Sequence, residues 1–197
     1  MKYILVLVVF SMLSSNAVIA QNEMKEKLPY YQIPDYPESY SACTVVARLI
    51  DGLGFRYHWA TEGLRDVDLA FKPSEEGRTT AETIDHLYGL TKVILNSALK
   101  KPNVSSDEAE MSFEEKRKKT LMMLKQAADI FREAKDLSEF TVVFQRGENL
   151  SEYPFWNNIN GPIADALWHC GQVVTHRRSS GNPFNSKASV FTGKLRQ

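Results

Sequence analysis

Residues 162–178 read PIADALWHCGQVVTHRR, and this stretch decides the fold more clearly than any other part of the chain. It opens on a proline, which suits the first turn of a helix. It ends on Arg177 and Arg178, where the helix dipole favours positive charge. Gly181 and Pro183 follow, and both residue types stop helices. The stretch therefore predicts an α-helix with defined ends.

One side of this predicted helix carries a stripe of polar residues at spacings of four, three and four. The stripe consists of Asp165, His169, Gln172 and His176. At about 100° per residue, these positions fall on one face, and apolar positions such as Val173 lie on the adjoining flank. A stripe that faced only solvent would more often carry Lys and Glu. We therefore expect it to border the buried interior.

Three further helices are predicted upstream, where apolar residues recur every three or four positions. The first begins near residue 41. The second begins at a capping box of Thr79 with Glu82, and the third at a capping box of Ser112 with Glu115. In each box the two residues satisfy backbone amides that a helix end leaves without partners.

Four amphipathic helices without a regular sheet predict an all-α fold, a four-helix bundle over residues 41–183. Residues 140–144 (FTVVF) are β-branched and aromatic, and they predict a short extended strip between the third and fourth helices. Residues 21–40 are expected to form an extended lead-in, and residues 184–197 a polar C-terminal tail. Bundles of this kind build metal sites from side chains that point inward.

Residues 1–20 have the three-part layout of a secretory signal peptide. Lys2 gives a positive start, an apolar run follows from Tyr3 to Leu13, and Ala20 ends a cleavage site of small residues. The run is well short of the ~20 residues that a spanning helix needs. We therefore expect a secreted or periplasmic protein with no membrane partner once the signal is removed. The alternative is an uncleaved membrane anchor.

The charge balance is even, with 24 Lys and Arg residues against 24 Asp and Glu residues. An even balance gives no reason to expect a nucleic-acid partner. The two cysteines, Cys43 and Cys170, both fall in helical patterns. Export would permit a disulfide between them, and two buried free thiols are the alternative.

Asp165 and His169 lie on successive helical turns, so both side chains can reach one metal ion. His86, near the middle of the second predicted helix, lies at the edge of that helix's buried face. Together the three residues would form a site of two histidines and one carboxylate, with open positions for water or substrate. Each residue also has a plainer explanation, as a hydrogen-bonded histidine or an acid placed favourably on a helix dipole.

Residues 168–172 (WHCGQ), continuing to the arginine pair at 177–178, resemble the last-helix motif of the DinB-like superfamily. Residues 83–87 (TIDHL) resemble the segment of the second helix that supplies a histidine ligand in that family. The resemblance covers residues 41–183. It implies a four-helix bundle of DinB-like type that binds a divalent metal, with zinc or nickel favoured.

Carried over residue by residue, the resemblance implies that His86 and His169 are metal ligands. Asp165 stands where the family usually has a histidine, and this departure brings a hard oxygen to the ion and alters its metal preference. His58 or His176 would add a ligand or carry protons, because histidine titrates near neutrality.

The resemblance implies a metal-dependent enzyme of hydrolase or transferase type, acting on an unidentified small molecule, and the predicted signal peptide makes it an exported one. The bound ion would lower the pKa of a water or a thiol, and Gln172 would support one of the ligands. Thiol transfer with a cytoplasmic cofactor fits poorly with an export signal. Two alternatives stay open, a non-catalytic bundle that binds a metal or small ligand and a structural bundle with hydrogen-bonded histidines. Family members often pair through helices, so a homodimer is a further alternative.

Overall fold

The computed structural model describes residues 28–105 and 109–197 of the chain. The predicted signal peptide, residues 1–20, lies outside the described residues. Helix makes up 54% of the structure and strand 11%, in two small sheets. The prediction of an all-α four-helix bundle is therefore wrong, and the fold is mixed α/β.

The α-helices of the described residues are α1 (Ala42–Thr61), α2 (Asp66–Leu69), α3 (Thr80–Ala98), α4 (Phe113–Glu133), α5 (Trp156–Asn158) and α6 (Ala164–Ser179). The long helices α1 and α3 each pack against both α4 and α6. Their shared core contains fully buried residues such as Ile50, Leu87 and Phe131. None of the helices in the described part of the chain is both long and apolar enough to cross a membrane.

Both predicted capping boxes are confirmed. At the start of α3, the Thr79 side chain accepts a hydrogen bond from the Glu82 amide, and the Glu82 carboxylate accepts one from the Thr79 amide at 2.7 Å. Ser112 and Glu115 make the same reciprocal pair at the start of α4. Local side-chain chemistry therefore sets where these two helices begin.

The last helical segment of the chain begins at Trp156, six residues before Pro162, where the sequence predicted its start. Helix α5 continues into a π-helical turn, Ile159–Ile163, and then into α6. Pro162 lies inside this turn. Proline has no N–H to donate and its ring crowds the preceding turn, so the chain passes it in a wider turn instead of a regular α-helical one. The wide turn ends directly before α6, in which Asp165 is the second residue, and so sets the angular position of that side chain.

The larger of the two sheets, which an all-α fold would not contain, has three strands. It contains β1 (Asn103–Val104), β2 (Thr141–Arg146) and β3 (Asn149–Pro154), with β1 parallel and β3 antiparallel to β2. The predicted strip at residues 140–144 thus lies largely within β2. A strand needs partners for its backbone N–H and C=O groups, and β1 and β3 supply them.

The smaller sheet lies in residues 184–197, the segment expected to be a polar tail. Strands β4 (Ala188–Ser189) and β5 (Lys194–Leu195) form an antiparallel hairpin. Gly193 accepts a backbone hydrogen bond from Ile33 at 2.9 Å, which ties the hairpin to the lead-in. The hairpin packs on α1 in a second small core made of Ile33, Phe55, Trp59, Phe184, Ala188 and Leu195.

Candidate metal centre

Asp165 lies between two histidines from different helices. Its Oδ2 atom is 3.2 Å from Nε2 of His86, and its Oδ1 atom is 3.2 Å from Nε2 of His169. One ligand atom from each residue can be chosen so that all of them lie within 4.8 Å of one another. The histidine rings stand nearly perpendicular, at 89°, with centroids 4.6 Å apart. The structure thus brings together the three residues that the sequence predicts as ligands.

The packing of α3 against α6 produces this arrangement. His86 lies one turn from Leu90 and beside the buried Leu87, at the edge of the α3 face that meets α6. Asp165 is in the first turn of α6, and His169 is on the next turn. The His86 and Asp165 side chains are each 34% exposed, whereas that of His169 is 12% exposed. The cluster is therefore held by the interface on one side and open to solvent on the other.

The donor set suits a transition-metal ion. Nitrogen and oxygen ligands sit about 2.0–2.2 Å from such an ion, so two of them on opposite sides are roughly 4.2 Å apart. The 3.2 Å separations between Asp165 and each histidine fall inside that span. Two neutral imidazoles with one carboxylate are a common ligand set for zinc, nickel and iron. The residues present therefore fit a divalent ion.

Gln172 fixes the orientation of one ligand. Nδ1 of His169 donates a hydrogen bond to Oε1 of Gln172 at 2.6 Å. A neutral His169 in this tautomer presents the lone pair of Nε2 towards the Asp165 carboxylate. Two such acceptors repel each other unless a proton or a cation lies between them. The arrangement prepares His169 to bind a positive ion.

Asp85, which precedes His86, stays out of the cluster. Its carboxylate forms an ion pair with Lys116 of α4. The Asp85 carboxylate is therefore neutralised by Lys116, and Asp165 supplies the carboxylate of the cluster.

The structure does not bring His58 into the cluster. His58 is buried on α1, and its Nδ1 atom donates to the Pro29 carbonyl at 2.8 Å. Its ring also contacts the rings of Tyr31 and Trp59. Burial lowers the pKa of His58. These contacts give it a role in holding the lead-in against α1.

His176 is also separate from the three ligands. It lies two turns beyond His169 on α6, about 10 Å along the axis. Its Nδ1 atom is hydrogen-bonded to Oγ1 of Thr80 at 3.2 Å, and its ring lies 5.6 Å from that of Phe71. Burial lowers the pKa of His176. It is thus a hydrogen-bonded histidine near the site, and not part of the ligand cluster.

A groove of about 580 Å³ runs along α6 beside His169. It is lined by Pro73, Gly77, Arg78, Thr83, Trp168, His169, Gly171, Gln172, Thr175 and His176. The sequence did not indicate the wall formed by residues 73–78, because it belongs to a loop that packs beside α6 only in the folded chain. Trp168 is 71% exposed and stacks on His169, with the two rings 17° from parallel. The groove gives a small molecule access to the His169 side of the cluster.

The two cysteines are free and buried. Burial raises the pKa of the Cys170 thiol to about 12, and the nearby Arg56 charge only partly opposes this. Cys170 is therefore a protonated thiol at neutral pH, and neither a disulfide partner of Cys43 nor a thiolate ligand. The alternative of two buried free thiols is confirmed.

Comparison with protein-family models, with curated proteins and with solved structures gives no match for this chain.

Proposed function

We propose that this protein binds one divalent transition-metal ion through His86, Asp165 and His169. The observation that carries the proposal is the position of the Asp165 carboxylate, with one oxygen 3.2 Å from each histidine Nε2 atom. The same ligand set is implied by the resemblance of the sequence to the DinB-like superfamily. Membership of that family and export from the cytoplasm remain predictions.

The hydrogen bond from His169 to Gln172 supports the proposal independently of the distances. Metal-binding histidines usually donate their second ring N–H to an oxygen, which sets the tautomer and raises the basicity of the ligating nitrogen. Gln172 Oε1 accepts this hydrogen bond. The second ring nitrogen, Nε2, is thereby directed at the Asp165 carboxylate, on the side where the ion would bind.

The ligand types favour zinc or nickel. Imidazole nitrogen suits these ions, and one carboxylate oxygen still allows iron or manganese. Cys170 does not supply a thiolate ligand to the ion, because it is buried on the adjoining flank of α6 and its pKa is raised to about 12. Three protein ligands leave at least one coordination position for water or a substrate atom.

We further propose that the site acts as a metal-dependent hydrolase or transferase on a small molecule held in the groove beside His169. The bound ion would supply a polarised substrate oxygen or a water of lowered pKa. Trp168 offers a flat apolar surface at the edge of the groove, and Arg78 offers a positive charge there. His176 lines the same groove, and burial lowers its pKa, which favours the neutral imidazole that general-base catalysis requires.

A non-catalytic metal-binding protein is the second candidate. The observation that favours it is the hydrogen bond between His176 Nδ1 and Thr80, which holds the second histidine of the groove away from the ligand cluster. Under this proposal the same three ligands would bind the ion and His176 would be needed only for folding.

The test is metal content, measured by mass spectrometry on protein purified without a histidine tag. We expect about one ion per chain in the wild type and its loss in the double variant His86→Ala/His169→Ala. The matched control is His58→Gln, which removes a histidine outside the cluster and should keep the ion. A wild-type protein without metal, and without a thermal shift when zinc or nickel is added, would contradict the proposal.

A further inference from the structure

A second pocket, of about 510 Å³, lies on the other flank of α6. We call it the arginine pocket. It is lined by Arg56, Leu167, Cys170, Gly171, Val174, Arg178, Phe184, Asn185, Ser186, Ala188, Val190 and Arg196. It shares only Gly171 with the groove beside His169. The body of α6 therefore separates this pocket from the proposed metal site.

Three arginines from distant parts of the chain line this pocket, and one of them, Arg56, also donates from its guanidinium to the Gly52 carbonyl at 2.9 Å. Arg56 belongs to α1, Arg178 to the last turn of α6, and Arg196 follows β5. The backbone amide of Arg196 donates to the Lys187 carbonyl at 2.8 Å, which fixes the C-terminal segment along the pocket. The concentration of positive charge is thus a product of the tertiary fold.

In the part of the chain that the structure describes, these arginines have no carboxylate partner, unlike several other arginines. Arg65, Arg117 and Arg132 each form an ion pair with an acid. Within residues 28–105 and 109–197, the ion pairs include none of the three pocket arginines. The lining residues of the pocket also include no Asp or Glu. Like charges that line one concavity make its potential positive, which favours an anion there.

The rest of the lining is largely apolar, with polar groups at two positions. Asn185 and Ser186 supply an amide and a hydroxyl, and Leu167, Val174 and Phe184 supply hydrocarbon surface. The volume falls in the range of small-molecule sites, which combine an apolar wall with a few polar anchors. A ligand that matches this lining has an anionic group and an apolar body.

We propose that the arginine pocket binds a small organic phosphate. A phosphate monoester carries up to two negative charges and three free oxygens, so it can accept hydrogen bonds from several guanidinium groups at once. A carboxylate has two oxygens and one charge, which a single arginine satisfies. The ester's organic group would contact the apolar wall. The inference goes beyond the proposed metal function and does not depend on it.

Isothermal titration with phenyl phosphate tests the proposal. The protein used carries His86→Ala/His169→Ala, so that phosphate cannot bind a metal at the other site. We expect saturable binding of phenyl phosphate, at least about tenfold tighter than that of inorganic phosphate or benzoate. Arg56→Gln, Arg178→Gln and Arg196→Gln, each added singly, should weaken binding about tenfold, as the loss of a charge-assisted hydrogen bond does.

Arg146→Gln is the matched control, because Arg146 is an exposed arginine of β2 that lines a different cleft. It should leave the affinity for phenyl phosphate unchanged. Circular dichroism of each variant establishes that the fold is intact. Absence of saturable binding, equal binding of benzoate, or an equal loss in Arg146→Gln would each overturn the proposal.

Discussion

His169 donates a hydrogen bond from Nδ1 to Oε1 of Gln172, one turn further along α6, at 2.6 Å. The bond fixes the ring so that Nε2 is the atom nearest the Asp165 carboxylate, at 3.2 Å. A side chain that does not itself touch the ion thus controls how one ligand meets it.

The first prediction concerns this hydrogen bond. Gln172→Ala should lower the affinity for zinc about 10- to 100-fold, because His169 loses the acceptor that fixes its tautomer. Gln172→Glu keeps an acceptor oxygen at that position and should retain most of the affinity. Competition with a chromophoric chelator measures both. Thr175→Ala, another groove residue on α6, is the control and should bind as the wild type does. Equal affinity in Gln172→Ala and the wild type would leave Gln172 without a role at the site.

The candidate site was largely predictable from the sequence because helical periodicity gives the angle of each side chain. Asp165 and His169 could be assigned to one face of α6, and His86 to the edge of the buried face of α3. The sequence could not decide that His58 would bond to the Pro29 carbonyl, since that contact joins residues 29 positions apart. Periodicity thus predicts which residues share a face, and only the packing decides which faces meet.

The strands were harder to predict than the helices. β3 reads NLSEYP and is exposed along its whole length, so it lacks the alternation that marks a half-buried strand. β1, β4 and β5 contain two residues each and exist only because a partner strand lies beside them. The arginine pocket could not be predicted from the sequence either, because positions 56, 178 and 196 are far apart in the chain and form no local pattern.

The second prediction concerns pH and His176. Burial lowers the pKa of His176 below its ordinary value of 6.5, so the unfolded chain takes up a proton more readily than the folded chain. Stability should therefore fall as the pH decreases below about 6.5. In His176→Gln the fall should be smaller. The measurement is the free energy of unfolding in urea at about pH 7.5 and about pH 5, with a chelator present.

The control for this experiment is Thr175→Ala, which introduces no change in titratable groups and should keep the wild-type pH dependence. Taking the difference between variant and wild type cancels the contributions of the other titrating residues. If His176→Gln shows the same loss of stability on acidification as the wild type, His176 does not titrate differently in the folded and unfolded states.

The third prediction concerns the buried carboxylate of Asp68. It accepts hydrogen bonds from Arg65 at 2.8 Å, Ser180 at 2.7 Å and Asn182 at 2.6 Å, which join α2 to the end of α6. These bonds hold the pKa of Asp68 well below its usual range. Asp68→Asn replaces an acceptor oxygen by a donor and should lower the free energy of unfolding by about 2–4 kcal/mol.

Urea denaturation at neutral pH measures this loss. Asp66→Asn, at an exposed position of the same short helix, is the control and should change stability by less than about 0.5 kcal/mol. Because the folded-state pKa of Asp68 is depressed, its contribution is present above the unfolded pKa of about 4 and is lost only in stronger acid. A neutral effect of Asp68→Asn would mean that the network adds nothing to stability.

The fourth prediction compares two glycines. A Cβ atom on Gly54 of α1 would overlap the ring of Tyr30, whereas one on Gly89 of α3 would meet nothing within 4 Å. Gly54→Ala should therefore destabilise the protein by about 1–3 kcal/mol through overpacking. Gly89→Ala should stabilise it by about 0.5–1 kcal/mol, because alanine loses less backbone entropy in a helix. Thermal and urea unfolding of the two variants measure the difference, and effects of the same sign would contradict the packing of Tyr30 on α1.

The fifth prediction concerns the choice of metal at Asp165. Asp165→His would replace a hard oxygen by a nitrogen and give a ligand set of three imidazoles. We expect this variant to keep zinc affinity within about tenfold of the wild type and to lose manganese affinity by more than about tenfold, because manganese prefers oxygen ligands. Asp165→Ala should weaken the binding of both ions.

Competition titrations of zinc and manganese against the same chelator give the four affinities. Asp66→His adds a histidine away from the cluster and controls for a general gain of metal binding. If the Asp165→His and wild-type proteins discriminate equally between zinc and manganese, the carboxylate does not contact the ion. His86 and His169 would then bind it without Asp165, and the 3.2 Å contacts between the carboxylate and the two histidines would serve only to orient the rings. A changed ratio between the two ions, together with weaker binding of both ions in Asp165→Ala, would instead support Asp165 as a ligand, because the change from an oxygen to a nitrogen donor shifts the preference of the site away from manganese.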